Sequence, residues 1–138
     1  MTVKMKHVLL VDEDPAVARA LSLVLESLGC KVLFATTVGK AIHTLAEWGE
    51  EITLVVLDVD SCHHGQTLLA AIEAYRENLP VVLLTPVGHH KACTSAARRA
   101  AATTLLKPVS PCEWEFTLAQ LDQSRPSLAS PDRLRIAA

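Results

Sequence analysis

The chain has 138 residues, half of them apolar and a fifth charged, which fits one packed domain and excludes a globally disordered chain. The net charge of −2 excludes the broad basic field of a nucleic-acid binder, and three arginines near the C-terminus (Arg125, Arg133, Arg135) do not restore one. The first apolar run, Val8–Val11, meets Asp12 after four residues, too short for a signal-peptide core or a membrane span, so a cytoplasmic protein without a membrane partner is expected.

Val8–Val11 has the length and composition of a buried strand. Asp14-Pro15 then supplies a helix start, with Asp14 as N-cap and Pro15 in the first helical position. Val17, Leu21, Val24, Leu25 and Leu28 follow at helical spacing, and Gly29 is a fitting stop. Lys31–Ala35 reads as a second strand and Val38–Trp48 as a second helix, with Ala41, Ile42, Leu45 and Trp48 inward. Ile52–Leu57 is the most apolar run and predicts a central strand ending at Asp58. A polar loop, Asp60–Gly65, leads to a third helix around Thr67–Arg76. Val81–Leu84 is a fourth strand, His89–Ala102 an Ala-rich fourth helix, and Thr103–Leu106 a short fifth strand. Ser110 and Glu113 form a capping-box pattern for a last helix that runs to about Gln123, with Phe116, Leu118 and Leu121 as its apolar positions. Residues 1–123 are the expected domain. Residues 124–138, rich in Ser, Pro and Arg, are the expected tail or linker.

Strict alternation of strands and helices argues an α/β fold, a parallel sheet covered on both faces and doubly wound by right-handed crossovers. Such folds bind ligands beyond the carboxyl ends of their strands. Those ends carry Asp12-Glu13-Asp14, Asp58, Thr85 and Lys107-Pro108. Crowded carboxylates repel one another and favour a hard cation with oxygen ligands. A lysine and a hydroxyl on the same rim can grip phosphoryl oxygens. The simpler reading of the acids alone is a solvated helix start. Their register with Asp58, Thr85 and Lys107 is what turns them into a site for a metal and a phosphate.

Four segments in order, Val8–Pro15, Val55–Asp58, Pro80–Thr85 and Lys107-Pro108, resemble the receiver domains of response regulators over roughly residues 6–122. The resemblance implies a flavodoxin-like five-stranded sheet in strand order 2-1-3-4-5. It implies a two-component signalling domain, not a classical enzyme, in which Asp58 accepts a phosphoryl group from a histidine kinase or phosphotransfer partner. Asp12 and Glu13, with Asp58 and the backbone carbonyl of Asp60, would hold Mg²⁺. Thr85 would turn toward the phosphoryl group, Lys107 would pair with Asp58 and then with a phosphoryl oxygen, and Pro108 matches a family proline that is commonly cis. A downstream effector protein is the implied reader, with weak homodimerisation as a further expectation. The implied chemistry agrees with the residues, since a carboxylate can form an acyl phosphate and transfer depends mainly on alignment and charge neutralisation.

The chain departs from the family pattern in three places. The loop after Asp58, Val59-Asp60-Ser61-Cys62-His63-His64-Gly65, lacks the usual Met-Pro pair and places its glycine one residue early. Pro86 follows Thr85 where a small residue is usual, and Thr104 replaces the aromatic switch residue three positions before Lys107. These departures motivate an alternative, a pseudo-receiver that binds partners without phosphorylation. A nucleotide-binding enzyme is disfavoured, because acids and not glycines follow the first strand.

The four cysteines (Cys30, Cys62, Cys93, Cys112) are scattered without a C-x-x-C pair and read as free thiols. Cys62, His63 and His64 follow the third strand, and His89, His90 and Cys93 follow the fourth. Such a mixture would suit zinc, although adjacent histidines lack a ligand spacing and exposed histidines are the simpler reading. Core packing is the expected role of Trp48 and Trp114.

Overall fold

The structure is a computed structural model that describes residues 7–58, 65–76, 78–86 and 102–124. In chain order the elements are β1 (His7–Val11), α1 (Pro15–Ser27), β2 (Lys31–Ala35), α2 (Val38–Trp48), a 3₁₀ turn (Gly49–Glu51), β3 (Ile52–Asp58), α3 (Gly65–Tyr75), β4 (Val81–Thr85), β5 (Ala102–Leu106) and α4 (Pro111–Ser124). The five strands form one sheet in the order β2-β1-β3-β4-β5, and every pairing is parallel. This is the doubly wound parallel sheet that the alternating runs predict, in the flavodoxin-like strand order that the resemblance implies.

β3 and β4 are buried at every position, as a covered parallel strand must be. Leu9, Val11, Val55, Leu57, Val81 and Leu83 pack under α2 and α3 against Ala41, Leu45, Leu68, Leu69 and Ile72. The opposite face carries Val8, Leu10, Leu54, Val56, Val82 and Leu84 under Ala18 and Leu25 of α1 and Trp114 and Leu118 of α4. One irregularity sets this alternation in β3. His7 pairs with Ile52 but Val8 pairs with Leu54, so Thr53 is an extra residue. Its hydroxyl donates to the His7 carbonyl at 3.2 Å. After the extra residue, the even-numbered positions Leu54 and Val56 face α1 and α4, and Asp58 continues their row.

Local chemistry explains the helix ends. The Asp14 carboxylate accepts the backbone N–H groups of Ala16 (3.0 Å) and Val17 (3.4 Å), with Pro15 in the first turn. Gly29 takes a φ of 98° just past α1, a left-handed conformation that glycine adopts without steric cost. At α4 the expected box is complete: Glu113 N–H donates to Ser110 Oγ (3.1 Å), and Ser110 N–H donates to Glu113 Oε1 (3.2 Å).

Three expectations are corrected. Val17 is not a core residue; the first turn of α1 sits at the rim of the sheet, and Ala18 is the buried neighbour. Phe116 is 64% exposed, while Trp114 and Leu118 are fully buried. At about 100° per residue, Phe116 lies on the far side of the helix from Trp114, and Thr117 fills the buried stripe instead. Ala102 opens β5 rather than closing a helix. The rest of the expected fourth helix, His89–Ala101, lies outside the described residues, as does nearly all of the expected tail.

Trp114 meets its expectation as a core residue, and Trp48 packs partly buried at the edge of the α2/α3 cluster. Cys30 and Cys112 are free thiols, one buried and one exposed; Cys62 and Cys93 fall outside the described residues. Among the described residues, no helix is long and apolar enough to cross a membrane.

Candidate functional site

The carboxyl ends of β1, β3, β4 and β5 bring four polar side chains to one rim. Val11 pairs with Leu57 across β1 and β3, so Asp12 and Asp58 are the next residues on adjacent strands. Asp58 pairs with Leu84, and Thr85 with Leu106, which places Lys107 one step further on. Asp12, Asp58 and Thr85 are all essentially inaccessible to solvent. Ionisable groups are seldom buried this deeply without a partner.

For Asp58 that partner is Lys107. Its Nζ lies 2.8 Å from Asp58 Oδ2, a charge-assisted hydrogen bond joining β3 to the end of β5. The two side chains differ in access: that of Asp58 is 2% exposed and that of Lys107 is 30% exposed. Lys107 N–H also donates to the Thr85 carbonyl at 2.8 Å, extending the β4–β5 ladder by one step. The Lys107–Pro108 peptide is cis.

Asp12 Oδ1 accepts the Asp14 backbone N–H at 2.9 Å, and Asp12 N–H donates to Ala35 O at 3.1 Å. These bonds fix Asp12 beneath the first turn of α1. Glu13 lies beside it on the exposed side of the rim. Thr85 Oγ1 donates to the Pro86 carbonyl at 3.2 Å, so the hydroxyl is turned onto its own loop. Asp60 lies outside the described residues, as do Cys62, His63, His64, His89, His90 and Cys93. Among the described residues, no three acid, imidazole or thiol groups gather closely enough to hold an ion by themselves.

Beside the ion pair runs a groove of about 280 Å³, a feature the sequence reading missed. Asp58 and Lys107 form its polar end, and Val17, Leu21, Val24, Leu84, Val109 and Trp114 supply apolar walls. The groove reaches the ion pair from the α1/α4 side, where Lys107 is the accessible partner and the Asp58 carboxylate stays buried.

The resemblance to receiver domains implies Mg²⁺ at this rim. Two buried carboxylates on adjacent strand ends, with a third acid beside them and one lysine, leave an excess of negative charge. Hard oxygen donors in excess over cations suit Mg²⁺ better than a softer metal.

Fold and site together define a flavodoxin-like α/β domain with an acidic, lysine-bridged rim. Residues 8–115 match the model of the response regulator receiver domain. The chain is 32% identical over 110 residues to the transcriptional regulatory protein GlrR of Escherichia coli K12, and equally to QseF of E. coli O157:H7. That match covers 79% of this chain but 24% of either relative, so the chain spans about a quarter of their length. Solved structures agree in fold. A response regulator receiver domain protein from Clostridium thermocellum superposes with a TM-score of 0.79 at 19% identity, covering 96% of this chain and 99% of that one. The receiver domain of NtrX from Brucella abortus gives 0.76 at 22% identity, covering 86% and 99%. The chain belongs to the response regulator receiver domain family of two-component signal transduction.

Proposed function

We propose that Asp58 is the phosphoryl acceptor of this receiver domain and that Lys107 is its electrostatic partner. The observation that carries this reading is the 2.8 Å contact between Lys107 Nζ and a solvent-excluded Asp58 at the end of the central strand. In the reaction, an Asp58 carboxylate oxygen bonds to phosphorus as the bond from phosphorus to the donor histidine nitrogen breaks. The imidazole leaves and is reprotonated from solvent, and the product is an acyl phosphate. Lys107 moves from the carboxylate to a phosphoryl oxygen, and its partial exposure leaves it room to do so. The Thr85 hydroxyl exchanges its bond to Pro86 O for one to the new phosphoryl group.

Mg²⁺ would be held by Asp12, Glu13, Asp58 and the Asp60 carbonyl, and when bound it neutralises phosphoryl oxygens. Asp12 and Asp58 are fixed by burial for this role, whereas Glu13 stands on the accessible side. The donor is a histidine kinase or phosphotransfer protein, and the reader is an effector protein or an effector domain. The relatives named above are transcriptional regulatory proteins four times as long as the matched region, which favours an output in gene regulation. The domain functions in the cytoplasm, as a receiver serving such partners.

Residue Thr104 supports a second reading. It is exposed on β5, and no aromatic side chain stands there to change rotamer on phosphorylation. A pseudo-receiver would keep the fold and bind partners without phosphorylation. Incubation with Mg²⁺ and a small phosphodonor, followed by intact-protein mass spectrometry, separates the two. One added phosphoryl group that needs Mg²⁺ and is lost in Asp58→Asn supports the acceptor. An unmodified protein under saturating donor supports the pseudo-receiver.

A further inference from the structure

A second surface lies on the opposite flank of α1 from the groove, where α1 meets the edge strand β2. Leu23 is 59% exposed and Phe34 is 45% exposed there. With Pro15, Arg19, Ser22 and Glu26 they line a shallow concavity of about 440 Å³. Two neighbouring large apolar side chains in a surface concavity are the kind of feature that protein contacts cover.

The charges at its borders are arranged by sign. Arg19 and Glu26 stand seven residues apart on the same stripe of α1, on either side of Ser22 and Leu23. A rise of about 1.5 Å per residue separates them by roughly 10 Å along the axis, too far for an ion pair within the helix. Among the described residues, neither makes an ion pair within 4.0 Å. A two-fold axis between Ser22 and Leu23 changes this. It lays a second α1 antiparallel on the first, so that Arg19 of each copy meets Glu26 of the other while Leu23 enters the facing concavity. The Arg19–Glu26 pair is therefore complementary to its own reverse, which is the requirement of an isologous contact.

We propose that the Arg19–Leu23–Glu26 stripe of α1, with Phe34 of β2, is a homodimerisation surface that receives a second copy of this chain antiparallel. The patch is small, so the association is weak and concentration-dependent. It lies on a different flank of α1 from the Asp58 groove and does not depend on phosphorylation.

Sedimentation velocity on the full chain over a wide concentration range tests it, with charge-reversed variants at exposed positions that leave the core intact. Wild type should shift toward dimer with concentration. Arg19→Glu and Glu26→Arg should each weaken the dimer at least about tenfold, and the Arg19→Glu/Glu26→Arg double variant should recover most of the loss. Raised salt should weaken wild type and the double variant alike. A protein that stays monomeric throughout, or one whose dimer is indifferent to the single reversals or not rescued by the double, overturns the proposal.

Discussion

The two partners of the ion pair stand in very different parts of the sheet. Asp58 ends β3, which is buried at every position and flanked by strands on both sides. Lys107 follows β5, an edge strand whose positions 103 to 106 alternate between half-buried and exposed. The contrast assigns mobility. The carboxylate is held by packing that cannot yield without losing core contacts, and the lysine is held mainly by its charge and by one backbone bond at its foot. A phosphoacceptor needs this asymmetry, because the nucleophile must stay aligned while its counter-charge moves to the new group.

The largest expected effect attacks the rigid side of that contrast. Trp114→Ala removes the fully buried ring that closes the α1/α4 core beside the groove and should cost about 3–5 kcal/mol in denaturant unfolding. Phe116→Ala, two residues away and largely exposed, should change stability by less than about 0.5 kcal/mol. Similar losses for the two would mean that the inward stripe of α4 is misassigned.

Leu57→Ala on the central strand should cost about 2–5 kcal/mol, whereas Leu106→Ala on the exposed face of β5 should stay within about 0.5 kcal/mol. Equal costs would erase the distinction between centre and edge. Smaller still, Ser110→Ala should lower stability by about 1 kcal/mol through loss of the α4 capping box, read from the shift in unfolding midpoint at constant slope.

The finest test uses the two described thiols. Burial pushes the Cys30 thiol from 9.0 up to about 11, while Cys112 is exposed. Peptide mapping after brief alkylation at neutral pH should find Cys112 labelled and Cys30 protected. The raised value also sets a sign. Above about pH 9 the unfolded thiol ionises while the folded one keeps its proton, so stability falls with rising pH until the folded group also ionises near 11. Cys30→Ala should flatten that decline.

Strand positions were legible in the sequence because a covered parallel strand is an unbroken apolar run, and Leu54–Leu57 or Val81–Leu84 admit little else. The rim was legible for the same reason: once strands end together, the residues that follow them must meet, and the Asp58–Lys107 contact is that meeting. Faces of helices were less so. The apolar stripe of α4 includes Thr117 and excludes Phe116, so hydrophobicity alone points to the wrong side. The extra residue Thr53 in β3 left no trace in composition, yet it sets which face Asp58 joins. The groove was hidden because its walls come from α1, β4 and α4, which only the folded chain brings together.

The role proposed for Asp58 turns on whether its own carboxylate takes up the phosphoryl group, which chemical mapping of the acyl phosphate reads out. Wild-type protein is treated with Mg²⁺ and a small phosphodonor, reduced with borohydride to convert an aspartyl phosphate to homoserine, and digested for sequencing by mass spectrometry. Homoserine is expected at position 58 and nowhere else, with the signal much reduced in Lys107→Ala. Homoserine at Asp12 or another aspartate, or none at all under saturating donor, would contradict that role.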